Sequence, residues 1–597
     1  MNRAVLGLIT LFVCVYLLPL NARPLAIPDE MRYGEIAREM IESGNFIVPH
    51  LNGLRYFEKP AGGHILNACA MLAFGETNFA VRFTSTLATA LSAIAVFLLV
   101  LRHSQQQMLG GRSGTERSEG SPGGSDCRPP TPATPETEFD RALVRRSYSG
   151  QTGFLAAFIF LTCAEVMGVG TFSVLDSMLS CCVTLSIGCF YLAINASGKK
   201  RFALLALSGV FVGGAFLVKG FIAFAVPVVV IGPYLALRRQ WKELFTLTWI
   251  PLAVAAVVSL PWSLAIASQE PDFWRYFFWE EHIRRYFAAI PGQHKFPFWF
   301  FVPVFLGGTL PWSFIGPLPI RDLIRQRKSE PLIQFTLLWM IMPFLFFSCS
   351  SGKLGTYILP CFAPFAILTA IALTDRFESH HTNRSLQTGA VLTCLTVILS
   401  IVTTLVIAAL YALGKIPPLD VYYIAKTVGW LIGLSIALMF AVDAYRSSSG
   451  LRKTIMLGLT TAAIFVTGSF CIPTAFLPTI GIQGILESEQ HYIEPDTIIV
   501  ANARSMHAVC YVYKRNDVFL FQDQGEVTYG LSYPEAEDRY LKVPALQSMI
   551  ESRGSQRLVM VMNSSPDDAF RKVLAPPDYQ RQWLNIWFAV YEPQTRK

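Results

Sequence analysis

Apolar runs close to twenty residues long recur through this chain, and nothing else in it constrains the fold as strongly. Each is long enough to cross a hydrocarbon core of roughly 30 Å as a helix. Thirteen are predicted, at about 4–20, 79–101, 152–172, 177–196, 202–218, 221–237, 244–267, 297–317, 331–349, 357–374, 389–413, 427–443 and 455–475. The stretch 168–220 also has room for a re-entrant segment. Only 15% of the 597 residues are charged and 52% are hydrophobic, whereas soluble domains carry about 25% charged residues. The expected fold class is therefore a polytopic α-helical membrane protein. The first run has Arg3 ahead of its apolar core, but its tail "LPLNARPLA" lacks a small-x-small cleavage site. It is read as a retained anchor.

Lysine and arginine set the orientation. With the N-terminus inside, "GKKR" (198–201), "RRQWK" (238–242), "RDLIRQRK" (321–328) and "SSSGLRK" (447–453) all fall in short cytoplasmic loops. The net charge of +8 is then mostly topology, and no nucleic-acid partner is needed. Thirteen spans place the C-terminus outside. Residues 1–475 form the membrane domain, with a first external loop at 21–78 and a second at 268–296. Residues 102–150, rich in Gly, Ser, Pro and Thr, have the composition of a disordered cytoplasmic insertion. Residues 476–597 alternate strand-like runs ("TIIVAN", "VFLF", "RLVMVMN") with helical ones ("ALQSMIES", "DDAFRKVL"). They predict a small external α/β domain. The twelve cysteines are scattered without metal-knuckle or disulfide spacing, and Cys510 alone lies in that domain.

The densest polar pattern is "RPLAIPDEMRYGEIAREMIESGNFIVPHLNGLRYFEKPAGG", starting at Arg23. Pro28 or Asp29 can start a helix that Gly44 stops, with Ile36, Met40 and Ile41 on one face, suited to lying along the membrane surface. Asp29 at its N-terminus sits where backbone N–H groups and the helix dipole favour an anion. It is expected to stay ionised, and to orient a nucleophile or stabilise positive charge. The plain alternative is a helix cap. Lys59, beside Glu58 in "YFEKP", is a point charge suited to phosphate, or else an interfacial lysine meeting headgroups. Asp176 falls at the turn between two apolar runs, and Lys219 lies within "GAFLVKGFIAF". Intramembrane charges are costly and point to function unless they snorkel. "WEEHIRRYF" (279–287) adds Arg284 and Arg285 for bidentate phosphate contacts, and "SSGKLGTYILP" (350–360) adds Lys353 and Tyr357. Asp29, Glu30 and Asp176 are thus the candidate catalytic carboxylates. Arg32, Tyr33, Tyr56, Glu58, Lys59, Lys219, Arg284, Arg285, Lys353 and Tyr357 are the candidate substrate contacts. No cofactor is called for with certainty; a divalent ion held by Glu58 and His282 is the one candidate metal.

The first-loop stretch, followed by "FAVRF", resembles the bacterial lipid A aminoarabinose transferases. "LVKG", the "EEHIRRYF…QHK" loop and "SSGKLGTYILPCFAP" resemble further segments of the same family. That family belongs to the GT-C glycosyltransferases, with the protein O-mannosyltransferases. The likeness runs through much of the membrane region and is looser in the C-terminal domain. It implies transfer of 4-amino-4-deoxy-L-arabinose from undecaprenyl phosphate to a lipid A phosphate, with inversion, at the periplasmic face of the inner membrane. The partners implied are the lipid-linked donor, lipid A and membrane lipids. Two departures bear on local geometry: Ala61 and Gly62 stand where the family has proline and leucine, and Gly355 where it has proline. Three other readings compete. The first is a sibling transferase with another sugar (hexosamine, mannose) or a protein acceptor. A transporter would instead show inverted repeats and midplane helix breaks. A non-catalytic scaffold gives no reason for carboxylates and phosphate-seeking cations to share one face.

Overall fold

The computed structural model describes residues 2–116, 150–284, 295–328, 330–378, 384–415, 422–471, 473 and 482–594. Among them ten helices are long and apolar enough to cross a membrane. These ten coincide with ten of the thirteen predicted runs. The run at 152–172 is instead a pair, Gly150–Leu161 and Ala164–Gly170, bent by 66°. The break thus falls ahead of the segment in which a re-entrant was expected, since Leu175–Ile194 and Gly198–Lys219 are each continuous. The runs at 221–237 and 297–317 become the shorter helices Ile222–Leu237 and Phe298–Gly308. A helix of sixteen residues rises only about 24 Å at 1.5 Å per residue, short of the hydrocarbon thickness.

The bundle is layered by burial. Most of Gly355–Phe377 is enclosed by other helices, whereas Arg384–Ala412 presents most of its surface outward. Leu395, Leu399, Val402, Leu405 and Val406 are all at least half exposed. In a membrane protein that is the lipid face, because lipid tails are as apolar as leucine. Helix Asn78–Glu116 carries on beyond residue 102, so the start of the segment read as disordered is helical. Residues 117–149 lie outside the described residues.

The C-terminal domain is a six-stranded mixed sheet. Its strands are β3 (Ile498–Ala501), β4 (Phe519–Phe521), β5 (Tyr540–Leu541), β6 (Leu558–Asn563), β7 (Tyr579–Trp583) and β8 (Ile586–Tyr591), in the order β5-β4-β3-β6-β8-β7. The hairpin β1 (His50–Leu51) with β2 (Leu54–Arg55) belongs to the first loop. Strands β5, β4, β3 and β6 run parallel, and β8 and β7 close the edge as an antiparallel hairpin. The predicted α/β pattern holds, with three strands and helix Ala503–Tyr513 added to it. Strand β8 is buried at every position, which is why it reads as a continuous apolar run and not as an alternation.

This domain rests on the first loop. Helix Ala503–Tyr513 packs on helix Asp29–Ser43, and the Tyr511 ring lies against Gly34. The Asn52 side chain donates to the Val518 carbonyl at 2.8 Å and accepts from the Val518 N–H at 3.0 Å. The two regions therefore share one face of the membrane, which requires an odd number of crossings. Counting the bent pair as one crossing meets this, with the two short helices counted together or not at all.

Candidate active site

Helix Asp29–Ser43 stops at Gly44 as its end signals predict, but it does not lie on lipid. Ile36 and Met40 are buried in a protein core shared with Met506, Val509 and Cys510, because the C-terminal domain and helix Gly62–Phe74 cover them. The opposite side is sealed too. Arg38 donates to both Glu35 oxygens at 2.8 and 2.7 Å, and Glu39 accepts from the N–H groups of Asn52 and Gly53 at 2.6 and 3.0 Å.

Glu30 is fully buried and saturated. It accepts from Arg82 at 2.6 and 2.8 Å, from Arg23 at 2.6 Å, and from the N–H groups of Ala26 and Ser173 at 2.9 and 3.1 Å. Burial alone raises a carboxyl, but the two guanidiniums outweigh it and hold Glu30 down at about 2. Arg82 is itself wholly buried and also donates to the carbonyls of Leu20, Arg23 and Pro24. This knot ties the start of the first loop to the entry of helix Asn78–Glu116.

Asp29, one residue earlier, faces a different place. Its side chain is 41% exposed and pairs with Arg32. Burial pushes its carboxyl up, Arg32 pulls it down, and Glu526 and Asp176 push it up again. Position at a helix N-terminus therefore does not decide its ionisation; the crowd of carboxylates and the loss of water oppose it. Arg32 bridges Asp29 to Glu526, which comes from the C-terminal domain, and it donates to the Tyr33 hydroxyl at 3.0 Å. Its guanidinium lies 4.7 Å from the Tyr33 ring centroid.

Asp176 and Lys219 complete this face. Lys219 donates to Asp176 at 2.6 Å and lies 5.1 Å from the Tyr357 ring centroid. Lys59 donates to Glu281 at 3.4 Å and to the Glu58 carbonyl at 2.8 Å. Gly62 explains one departure from the family pattern. A Cβ there would meet the Leu217 carbonyl at 2.7 Å, so a leucine-sized residue would force helix Gly62–Phe74 off the Lys219 helix. Gly220, at φ +77, is required for a similar reason, since a Cβ would strike Phe277 at 2.5 Å and His282 at 2.8 Å. Gly355 meets only ordinary contacts, with Val304 at 3.5 Å and Glu165 at 3.8 Å.

Other candidates are placed less centrally. Arg284 is 56% exposed and paired with Glu280 at 2.8 Å, and Arg285 lies outside the described residues. Lys353 is buried and donates to the Ser350 carbonyl at 2.5 Å. His282 has Nδ1 on the Phe277 carbonyl at 2.8 Å and accepts at Nε2 from the Phe221 N–H at 3.3 Å. Both ring nitrogens are thus engaged. No group of three or more His, Cys, Asp or Glu lies together for a metal among the described residues. The expected Glu58–His282 pair has only two such residues, and His282 Nε2 would have to release the Phe221 N–H to bind an ion.

Sequence reasoning missed Arg82, His64, His507 and Glu526. Tyr56 is fully buried with its hydroxyl unpartnered, and its ring sits edge-on to His64 at 6.0 Å. His64 also contacts the Tyr33 ring at 5.6 Å, and neither of its nitrogens has a hydrogen-bond partner among the described residues. His507, held down at about 4 chiefly by burial, acts electrostatically on Glu526. "FAVRF" carried the signal for Arg82. Glu526, in "DQGEVTYG", had none, because it meets Arg32 only through the docking of a domain nearly five hundred residues away.

Residues 1–110 and 142–277 match the family of dolichyl-phosphate-mannose-protein mannosyltransferases. Residues 482–590 match the C-terminal domain of the arabinosyl transferase ArnT. The fold is similar to the crystal structure of ArnT from Cupriavidus metallidurans bound to undecaprenyl phosphate. That likeness has a TM-score of 0.74 at 22% identity and covers 99% of each chain. An undecaprenyl phosphate-alpha-4-amino-4-deoxy-L-arabinose arabinosyl transferase of Shewanella sediminis is 36% identical over 91% of this chain and 90% of its own length. The enzyme of that name from Erwinia tasmaniensis is 34% identical over 98% of both. At that identity and coverage, the chain belongs to the undecaprenyl phosphate-alpha-4-amino-4-deoxy-L-arabinose arabinosyl transferase family.

Proposed function

We propose that this chain transfers 4-amino-4-deoxy-L-arabinose from undecaprenyl phosphate to a lipid A phosphate, at the periplasmic face of the bacterial inner membrane. The carrying observation is the gathering of Asp29, Arg32, Lys59, Asp176, Lys219 and Tyr357 where the first loop meets the bundle. Kinship with relatives named for this donor and sugar supports it. The donor's leaving group is a phosphate, and Lys59 and Arg32 supply charge where its negative charge grows. An acceptor phosphate is already an anion, so Asp29 has little proton to remove. It orients the nucleophile and stabilises oxocarbenium character at the anomeric carbon. A single displacement inverts that carbon. Asp176 positions Lys219 against Tyr357, Glu58 and Glu281 position Lys59, and Glu30 positions the helix that carries Asp29.

The test is mass spectrometry of lipid A from cells supplied with undecaprenyl-linked aminoarabinose and making either this chain or its Asp29→Asn variant. An aminopentose added only by the unaltered protein is expected. Unmodified lipid A with both proteins well expressed would move the assignment to a sibling transferase with another sugar or acceptor.

A further inference from the structure

The site holds more negative charge than an anionic donor explains. Asp29 and Glu526 share Arg32, Asp176 pairs with Lys219, and Glu58 and Glu281 flank Lys59. Among the described residues, Asp29, Glu526 and Asp176 thus meet two cations, Arg32 and Lys219. Bringing in a phosphate enlarges the excess, and in a partly desolvated site like charges repel strongly. The imbalance closes if the substrate itself carries a positive group beside its phosphate.

One carboxylate is free to receive it. Glu526 gives one oxygen to Arg32, while its other, Oε2, is buried and has no hydrogen-bond partner among the described residues. A buried acceptor atom left without a hydrogen bond is costly and persists where a ligand or function uses it. Of the other carboxylates, Asp176 accepts from Lys219 at 2.6 Å and Glu281 from Lys59 at 3.4 Å. Glu526 also arrives from the C-terminal domain, on the loop after β4, at the carboxyl end of a parallel strand where open α/β sheets present ligand contacts.

We infer that Glu526 Oε2 accepts a hydrogen bond from the ammonium group of the transferred amino sugar, making the C-terminal domain the reader of that amine. The inference rests on the transferase reading above and adds the residue that discriminates the sugar. Arg32 holds Glu526 in place from one side, so the carboxylate is pre-oriented before the sugar enters.

The experiment compares two donors that differ only at the sugar's 4-position, undecaprenyl-phosphate aminoarabinose and its 4-hydroxy counterpart, with the full-length protein in detergent or liposomes. Glu526→Gln keeps the side-chain shape and an acceptor for Arg32 but removes the charge. It is expected to lower kcat/KM for the amino donor by about 10- to 100-fold, the size of a lost charged hydrogen bond. Use of the hydroxy donor should fall by a smaller factor, because Arg32 keeps an acceptor but loses a charge partner. Glu526→Asp should recover part of the preference for the amine. Equal losses with both donors, at an unchanged unfolding midpoint, would show that Glu526 only props Arg32 and would overturn the inference while leaving the transferase reading intact. An unaltered protein that uses neither donor would overturn both.

Discussion

Asp29 and Glu30 leave the same helix turn about 100° apart, and their surroundings are opposites. Around Glu30 every acceptor site is filled: two arginines and two backbone N–H groups close on it, and it is out of contact with solvent. Around Asp29 a single arginine is shared with a second carboxylate, and the side chain stays partly open. The same chemical group is thus fully satisfied in one place and left with spare capacity in the other. A buried carboxylate whose demands are all met rigidifies its neighbourhood. One that is left short of partners has capacity for a substrate. The difference also reverses their response to protons, since the arginines hold Glu30 down while burial and neighbouring carboxylates push Asp29 up.

Mutation separates the two. Asp29→Asn is expected to cut turnover by about 10²- to 10⁴-fold, the range of a positioned acid–base group, with an unchanged or slightly raised unfolding midpoint. Near-normal turnover would remove Asp29 from the chemistry. Arg82→Ala should do the reverse. Leaving Glu30 short of its main partner costs about 3–5 kcal/mol of stability, read as a large fall in the thermal midpoint, and a midpoint within a degree of the parent would dissolve the structural reading of Glu30.

Proton titration sharpens the contrast. Glu30 ionises near 2 in the folded chain against 4.5 ordinarily, so its contribution, about 3 kcal/mol at 1.36 per unit, is complete above pH 4.5. It is lost as pH falls toward 2. Unfolding in detergent across that window should show the loss, and Glu30→Gln should flatten it. Asp29, raised in the fold, contributes with the opposite sign, so stability gained from it appears as pH falls.

Smaller effects test the cations. Lys59→Ala should raise the donor KM by about 10-fold or more, one charged hydrogen bond to phosphate, and an unchanged KM would return Lys59 to the role of a headgroup anchor. Arg284→Ala, breaking an exposed pair with Glu280, should change stability by less than about 1 kcal/mol. It should also move KM less than Lys59→Ala; a larger shift would place Arg284 on the donor.

Much of this architecture is legible in order along the chain. Apolar length announces the ten long helices of the bundle, because a bilayer accepts only a narrow range of helix lengths. The helix Asp29–Ser43 is announced by its end residues, "YFEKP" by adjacent charges beside interfacial aromatics, and Lys219 and Asp176 by charge placed where lipid penalises it. The face of that helix was misjudged for an equally physical reason. Ile36 and Met40 read the same whether lipid or protein covers them, and local periodicity cannot tell one apolar cover from another.

What sequence alone determined is therefore the membrane class, the elements, and which polar residues are out of place in lipid. What tertiary structure decided is how each of them is partnered. Glu30 and Asp29 look alike in a row of letters. The arrival of Arg82 and Arg23 on one, and burial together with Arg32, Glu526 and Asp176 around the other, sets their ionisation. Electrostatic partnership depends on distance through space at low dielectric, and the distance between residues 32 and 526 is fixed by the docking of the C-terminal domain on the first loop.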